Sequence, residues 1–339
     1  MTPAAKTLTI RSSPHIGAAS SVDTIMFNVV LALLPVCGYA VYTFGLAALL
    51  VLLTAVISCV LTEHLLCKFS GRSTTIGDWS VVITGLLYGL VLPPSLPLWM
   101  VAVGGIIAVG VGKFLFGGLG YNPFNPALIG RAVLQAAFPA AMTRWPELGG
   151  RFGSLPPSTL AMPLTKPEYD GISAATPLAE WKFNQLPTAT SDLLMGFTAG
   201  STGETCAILI LLGGIYLAAR RMMSWRIPVA ILVTVAVCSS ALHLLDPSRY
   251  AGPLFMLFSG GLMLGAVFMA TDMVASPMTH LGCIVYGVLI GLLVMLIRVW
   301  GGMPEGVMYA ILLGNAASPH IDRWIQPRLY GSAVGGSAT

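Results

Sequence analysis

Charge is what this sequence has least of. Only 9% of its 339 residues are Asp, Glu, Lys or Arg, against 56% hydrophobic. A soluble domain carries roughly 25% charged residues. Such a chain cannot cover a water-facing surface, so lipid must be its solvent. Cysteine pairs are missing too. Cys37, Cys59, Cys67, Cys206, Cys238 and Cys283 form no Cys-x-x-Cys motif, which argues against an iron–sulfur or zinc site built by this chain alone. Most of them lie in apolar runs, where a reduced cysteine is a small hydrophobe, so no disulfide framework is expected. No Gly-x-Gly-x-x-Gly and no phosphate-loop motif occurs, and the chain is not expected to bind NAD or ATP itself. Residues 1–20 have no apolar core and no cleavage pattern; the first helix is expected to act as an uncleaved insertion signal. The net charge of +4 is not clustered, which points away from nucleic acid.

Long apolar runs are present instead. A bilayer core of ~30 Å requires about 20 helical residues. Runs at 24–44, 46–67, 79–92, 97–117, 125–140, 203–219, 227–246, 252–271, 279–299 and 304–320 predict an all-α, polytopic integral membrane protein of about ten transmembrane helices. Residues 1–140 form an N-terminal membrane half of five spans and 203–320 a C-terminal half of five. Between them, 141–202 holds Pro, Thr, Ser, Trp and charges and reads as a periplasmic loop; 321–339 reads as a cytoplasmic tail. The runs 79–92 and 125–140 are short and bounded by Pro93, Pro94, Pro97, Pro123 and Pro126. Such segments suggest broken helices buried in protein, because lipid does not tolerate bare backbone.

Lys and Arg set the orientation. With both termini cytoplasmic, Lys68, Arg72, Lys113, Arg220, Arg221, Arg226, Arg323 and Arg328 fall inside, and only Arg249 and Arg298 fall at short outer loops. An internal repeat is also visible. Gly85-Leu-Leu-Tyr-Gly-Leu-Val91 matches Gly261-Leu-Met-Leu-Gly-Ala-Val267, and Ala127-Leu-Ile-Gly-Arg-Ala132 matches Ile311-Leu-Leu-Gly-Asn-Ala316. The first block starts inside and the second outside, so the repeat is inverted, a pattern of transport folds with a site near the midplane.

The most informative stretch runs from Asp192 to Thr205, ending Gly200-Ser201-Thr202-Gly203-Glu204-Thr205. As local structure it reads as a capping box, with Ser201 at the N-cap and Glu204 at N3. That leaves Thr205 in the first turn of the sixth span. Free N–H groups at a helix N-terminus suit a phosphate, so a phosphate esterified to Thr205 would lie in a favourable field. Residues alone leave the cap and the phosphate site both open.

The same six residues resemble the flavinylation motif of the RnfD/NqrB family. The likeness extends along most of the chain. It includes Ser13-Pro-His15 with Ile25-Met26 and Ala32-Leu-Leu-Pro35, and Gly117 to Ala127 around Asn122-Pro and Asn125-Pro. It also includes Ala270-Thr-Asp272-Met-Val-Ala-Ser-Pro277, where Met273 replaces the family's usual proline. The resemblance implies FMN joined to Thr205 by a phosphodiester, with Ser201, Thr202, Gly203 and Glu204 around it. It implies a flavin transferase acting outside the cytoplasm, where the topology puts Thr205. It further implies a noncovalent riboflavin beside Asn122 and Asn125, whose amides can both donate and accept. Glu204, where NqrB relatives carry alanine, resembles the RnfD branch.

Other polar residues keep two readings. Asn-Pro also simply starts turns and caps. Asp272 is either an intramembrane functional carboxylate or the cap of a following turn. Glu63, His64, His280 and Glu305 read as interfacial. Arg131, inside an apolar segment, needs a partner; a carboxylate or backbone carbonyl is favoured over a flavin carbonyl or phosphate. Trp79, Trp99, Trp145, Trp300 and Trp324 read as interfacial anchors.

The resemblance implies a membrane subunit of an Rnf-type ion-translocating electron-transport complex in the bacterial inner membrane. It would relay electrons among ferredoxin- and NAD-linked subunits, coupled to Na⁺ or H⁺ movement. It would be an oxidoreductase subunit with no catalytic residue of its own, and its other partner is membrane lipid. Two alternatives remain at this point: an inverted-repeat channel or secondary transporter, and an NqrB-like quinone reductase subunit.

Overall fold

The computed structural model describes residues 21–72, 74–146, 155–163, 175–186, 188–204 and 206–327. Among them every regular element is helical. Helix α1 (Val22–Phe44) starts at Ser21, whose hydroxyl accepts from the Thr24 amide. It meets α2 (Leu46–Phe69) at Gly45 alone, where φ is 70°. Only glycine adopts such a backbone without strain. Helices α3 (Ser80–Leu90) and α4 (Leu98–Val109) follow, the latter extended by a π segment, Gly110–Phe114. Helix α5 (Pro126–Ala137) begins at the Asn125 cap with Pro126 at its first position, where proline's missing N–H costs nothing.

After residue 204 come α6 (Ala207–Ala219) and α7 (Arg226–Leu245). The eighth apolar run is broken into α8 (Pro253–Phe258) and α9 (Leu262–Leu264), which continues as a π segment, Gly265–Met269. Gly260 lies at φ 68° in the break. Helices α10 (His280–Trp300) and α11 (Val307–Trp324) complete the bundle.

All ten apolar runs therefore have a helical counterpart, but not ten equal spans. Helices α1, α2, α7 and α10 are long and apolar enough to cross a bilayer; α3, α4 and α6 are shorter apolar helices. Helix α3, with 11 residues, rises about 16 Å at 1.5 Å per residue, half a bilayer. The segment 141–202 holds short helical turns at 157–160, 177–184 and 190–195 and, among its described residues, no span.

The two halves repeat their neighbours. Helix α4 packs on α2 and α5, as α10 packs on α7 and α11; between the halves, α1 meets α6 and α5 meets α11. Tyr88, Leu128, Ile231, Tyr286 and Ile311 are fully buried in one shared core. The outer surface is equally apolar. Leu53, Ile57, Leu61 and Leu65 line one face of α2 and are 47–53% exposed. A continuous apolar stripe of this kind marks a lipid-facing surface rather than a water-facing one.

Polar contacts gather at two ends of the bundle. At one end Lys113 meets Glu63 and Ser80, Arg72 donates to the Gly117 carbonyl, and the Met278 amide donates to Asp322. At the other, Tyr39 donates to the Met195 carbonyl, Ser158 to that of Ser95, and Lys182 to those of Arg298, Gly301 and Met303. These are called below the Lys113 end and the loop end.

Candidate functional site

The loop that leads into α6 closes the open end of a half-helix. Helix α3 stops at Leu90 and leaves carbonyls without intrahelical partners. The Thr202 hydroxyl donates to the Gly89 carbonyl at 2.7 Å, the Thr202 amide to Leu92 at 3.1 Å, and the Gly203 amide to Leu90 at 2.6 Å. Ser201 and Thr202 are 1% and 0% exposed. A Cβ on Gly203 would sit 2.8 Å from the Leu90 carbonyl oxygen and from Leu264, so only glycine fits.

The expected capping box is not formed. Helix α6 begins at Ala207 and its N-cap is Cys206, with no side-chain cap. Ser201 instead donates to Glu204 Oε1 at 2.8 Å, and Thr205 precedes the cap rather than joining the first turn. The cause is competition: the half-helix carbonyls take the Thr202 and Gly203 amides, and the Ser201 hydroxyl donates to Glu204 instead of accepting from its amide. Thr205 itself lies outside the described residues. The polar groups of Ser201, Thr202 and Gly203 named above are committed within the protein, which makes them a platform immediately before Thr205.

Beside this platform sits a group of charges. Arg131 Nη2 lies 3.4 Å from Glu305 Oε2, with side chains 11% and 19% exposed. The Glu305 Oε1 atom accepts from the Gly261 amide at 2.5 Å. Arg298, only 3% exposed, donates to the Met256 and Ser259 carbonyls at 2.5 and 2.8 Å. The break between α8 and α9 is thus held by a cation on its orphan carbonyls and an anion on its orphan amide, the sense that a helix's dipoles favour. Arg131 finds the carboxylate partner its sequence position demanded. Glu305 and Arg298, expected at span ends near water, are instead drawn inward to this break.

At the Lys113 end lies a partly open cleft with about 100 Å³ of enclosed space. Asn122, Asn125, Asp272, Lys113, Phe268 and Met222 are among its lining residues. Both π segments contribute, through Lys113 and Phe268; such local widenings often accompany functional sites. Asn125 caps α5, accepting from the Ala127 amide at 3.0 Å and donating to the Met269 carbonyl at 3.3 Å. Its amide is engaged on both sides. Asn122 donates to the Phe124 carbonyl at 3.1 Å and hydrogen-bonds Asp272. Asp272 also caps its own turn through the Val274 amide, at 3.0 Å. The structure therefore joins the two readings of Asp272: it is a cap, and it faces the cleft.

Glu63 corrects another expectation. It is 2% exposed, not interfacial, and Lys113 is 3% exposed. The ammonium sits 2.8–2.9 Å from both carboxylate oxygens and 2.7 Å from the Ser80 hydroxyl. Thr75 also donates to Glu63. A buried charge is tolerated when it is paired and hydrogen-bonded in this way. His64 and His280 are exposed, as their places near span ends suggested. Sequence reasoning missed the Glu63–Lys113 pair and the charge group at the break. The available signal was scarcity, since a chain with so few charges places none in its interior without a partner.

Taken together, the broken helices, apolar outer faces and polar groups inside the bundle define a multi-pass membrane protein with candidate sites at both ends. Comparison with known proteins agrees. The NQR2, RnfD, RnfE family model matches residues 9–331, and the chain belongs to that family. Over 324 residues it is 42% identical to the D subunit of a proton-translocating ferredoxin:NAD(+) oxidoreductase complex of Clostridium ljungdahlii, covering 96% of each chain. It is 42% identical over 328 residues to the D subunit of a Na(+)-translocating ferredoxin:NAD(+) oxidoreductase complex of Acetobacterium woodii, covering 96% of this chain and 95% of that one. The D subunit of an ion-translocating oxidoreductase complex of Alcanivorax borkumensis is 39% identical over 329 residues, covering 94% and 96%.

Proposed function

We propose that this chain is the D subunit of an Rnf-type ion-translocating complex in the bacterial inner membrane. In this reading it carries FMN on Thr205 at the loop end and a noncovalent riboflavin in the Asn122 cleft at the Lys113 end. The observation that carries the reading is the fixed platform before Thr205. Two backbone amides and one hydroxyl anchor residues 202–203 to the end of α3, so the chain just before the acceptor is fixed and α6 starts two residues after it. Orphan amides at that terminus suit a phosphodiester.

The two candidate sites lie at opposite ends of α6. Leu217, Met222 and Met223 reach the cleft, while Thr205 precedes the helix start. Thirteen residues span about 20 Å. Flavins accept and donate electrons, and the protein supplies their positions. In the cleft, the Asn122 oxygen can accept from a ring N–H, and Lys113, its ammonium paired with Glu63, forms part of the wall. Glu63 holds that ammonium in place. A flavin transferase and the other subunits of the complex are the partners this reading requires.

In-gel fluorescence of the denatured chain tests it. The wild-type band is expected to fluoresce, and Thr205→Val to be dark at equal abundance. Acid-extractable flavin is expected to survive in Thr205→Val and to fall in Asn122→Leu. A fluorescent Thr205→Val band contradicts the acceptor assignment.

A further inference from the structure

We propose that Glu204 and Glu305 hold one proton between them, forming a proton-binding site at the break between α8 and α9 that exchanges with water past Arg298. The two carboxyl groups converge on Gly261. A Cβ there would lie 2.8 Å from Glu305 Oε1 and 3.9 Å from Glu204 Oε1, so both carboxyl groups border one point of the buried break. Like charges this close do not both ionise readily, and a proton on one carboxyl lets the two share a hydrogen bond. The partners decide which group holds it. Glu305 has the Arg131 guanidinium and the Gly261 amide at bonding distance; among the described residues Glu204 has the Ser201 hydroxyl, with no ion pair of its own. Glu305 is the anion and Glu204 the acid.

A second observation points to water inside the site. Four buried side-chain polar atoms among the described residues have no partner, and three of them, Arg131 Nε, Arg298 Nε and Ser259 Oγ, belong to residues at this break. Buried polar groups without protein partners are commonly met by ordered water. Arg298, 3% exposed, also lines a cavity of about 240 Å³ at the loop end with Lys182, Arg249 and Tyr250. It therefore stands between that cavity and the carboxyl pair. The occupant is a proton rather than a metal ion, because two guanidinium groups flank the carboxylates and would repel a second cation. With one proton bound, the two arginines and one carboxylate leave a net positive charge. On the reading above, that charge would favour a phosphodiester on the next residue in sequence after Glu204; the proton site itself does not depend on it.

Infrared difference spectroscopy of the full chain in membranes, in H₂O and D₂O, tests the site. The wild type is expected to show a carboxylic-acid carbonyl band that shifts in D₂O and is insensitive to Na⁺. The band is expected to be lost in Glu204→Gln, kept in Glu63→Gln, and moved in frequency in Glu204→Asp, which serves if the Gln variant does not accumulate. Thr205→Val is expected to keep the band, so loss of flavin and loss of the proton are read separately. Absence of an exchangeable band in the wild type overturns the proposal. So does a band unmoved by both Glu204 variants, or one that disappears on adding Na⁺.

Discussion

Thr202 and Gly203 show how a residue's role is set by groups far away in sequence. The pattern Ser201-x-x-Glu204 is a local signature, and by local rules it should cap α6. The Ser201 hydroxyl instead donates to Glu204 within the motif, and the residue 202–203 amides meet carbonyls more than 100 positions earlier. Nothing within a short window carries those distant contacts. The glycine was legible as part of a motif, but its reason, contact with the Leu90 carbonyl, was not. Gly203→Ala is expected to lower stability by about 1–3 kcal/mol through overpacking, measured as a fall in midpoint temperature of the purified chain. Thr202→Val keeps the shape but leaves the Gly89 carbonyl without this donor. The Leu92 amide still reaches that carbonyl, so the loss is that of one hydrogen bond, about 0.5–1.5 kcal/mol, and unchanged thermal denaturation in both variants would deny the platform.

At the scale of elements, the apolar runs located every helix of the bundle, and the prolines marked the two short segments at 79–92 and 125–140. Element lengths were less legible, because the break between α8 and α9 sits inside an unbroken apolar run. Its stability comes from Arg298 and Glu305, which lie in later elements. The same holds for the pair that ties α2 to the π segment after α4. Glu63 and Lys113 are 50 residues apart and each looked interfacial alone. Removing one partner leaves an unpaired buried charge, so Lys113→Met is expected to cost about 3–5 kcal/mol. Adding Glu63→Leu is expected to restore most of that loss, since an apolar pair of similar volume is often tolerated. A double variant no better than the single one would show that the pair is not coupled.

For the whole molecule, the balance of Lys and Arg predicts that the Lys113 end faces the cytoplasm and the loop end the periplasm. The structure gathers the loops into two matching ends, and cysteine labelling reads which is which. Phe69, Leu245 and Trp324 are 83%, 80% and 81% exposed. In right-side-out vesicles a membrane-impermeant reagent is expected to label Leu245→Cys and to spare Phe69→Cys and Trp324→Cys until the membrane is opened. The reverse pattern would put Thr205 out of reach of a transferase outside the cytoplasm.

Peptide mass mapping of the chain purified from its own membrane reads the acceptor directly. FMN, less one water, is expected on the peptide that contains Thr205, with fragmentation placing it on that hydroxyl. An unmodified Thr205 peptide in a chain that retains its flavin, or the same added mass on Ser201 or Thr202, would contradict the assignment.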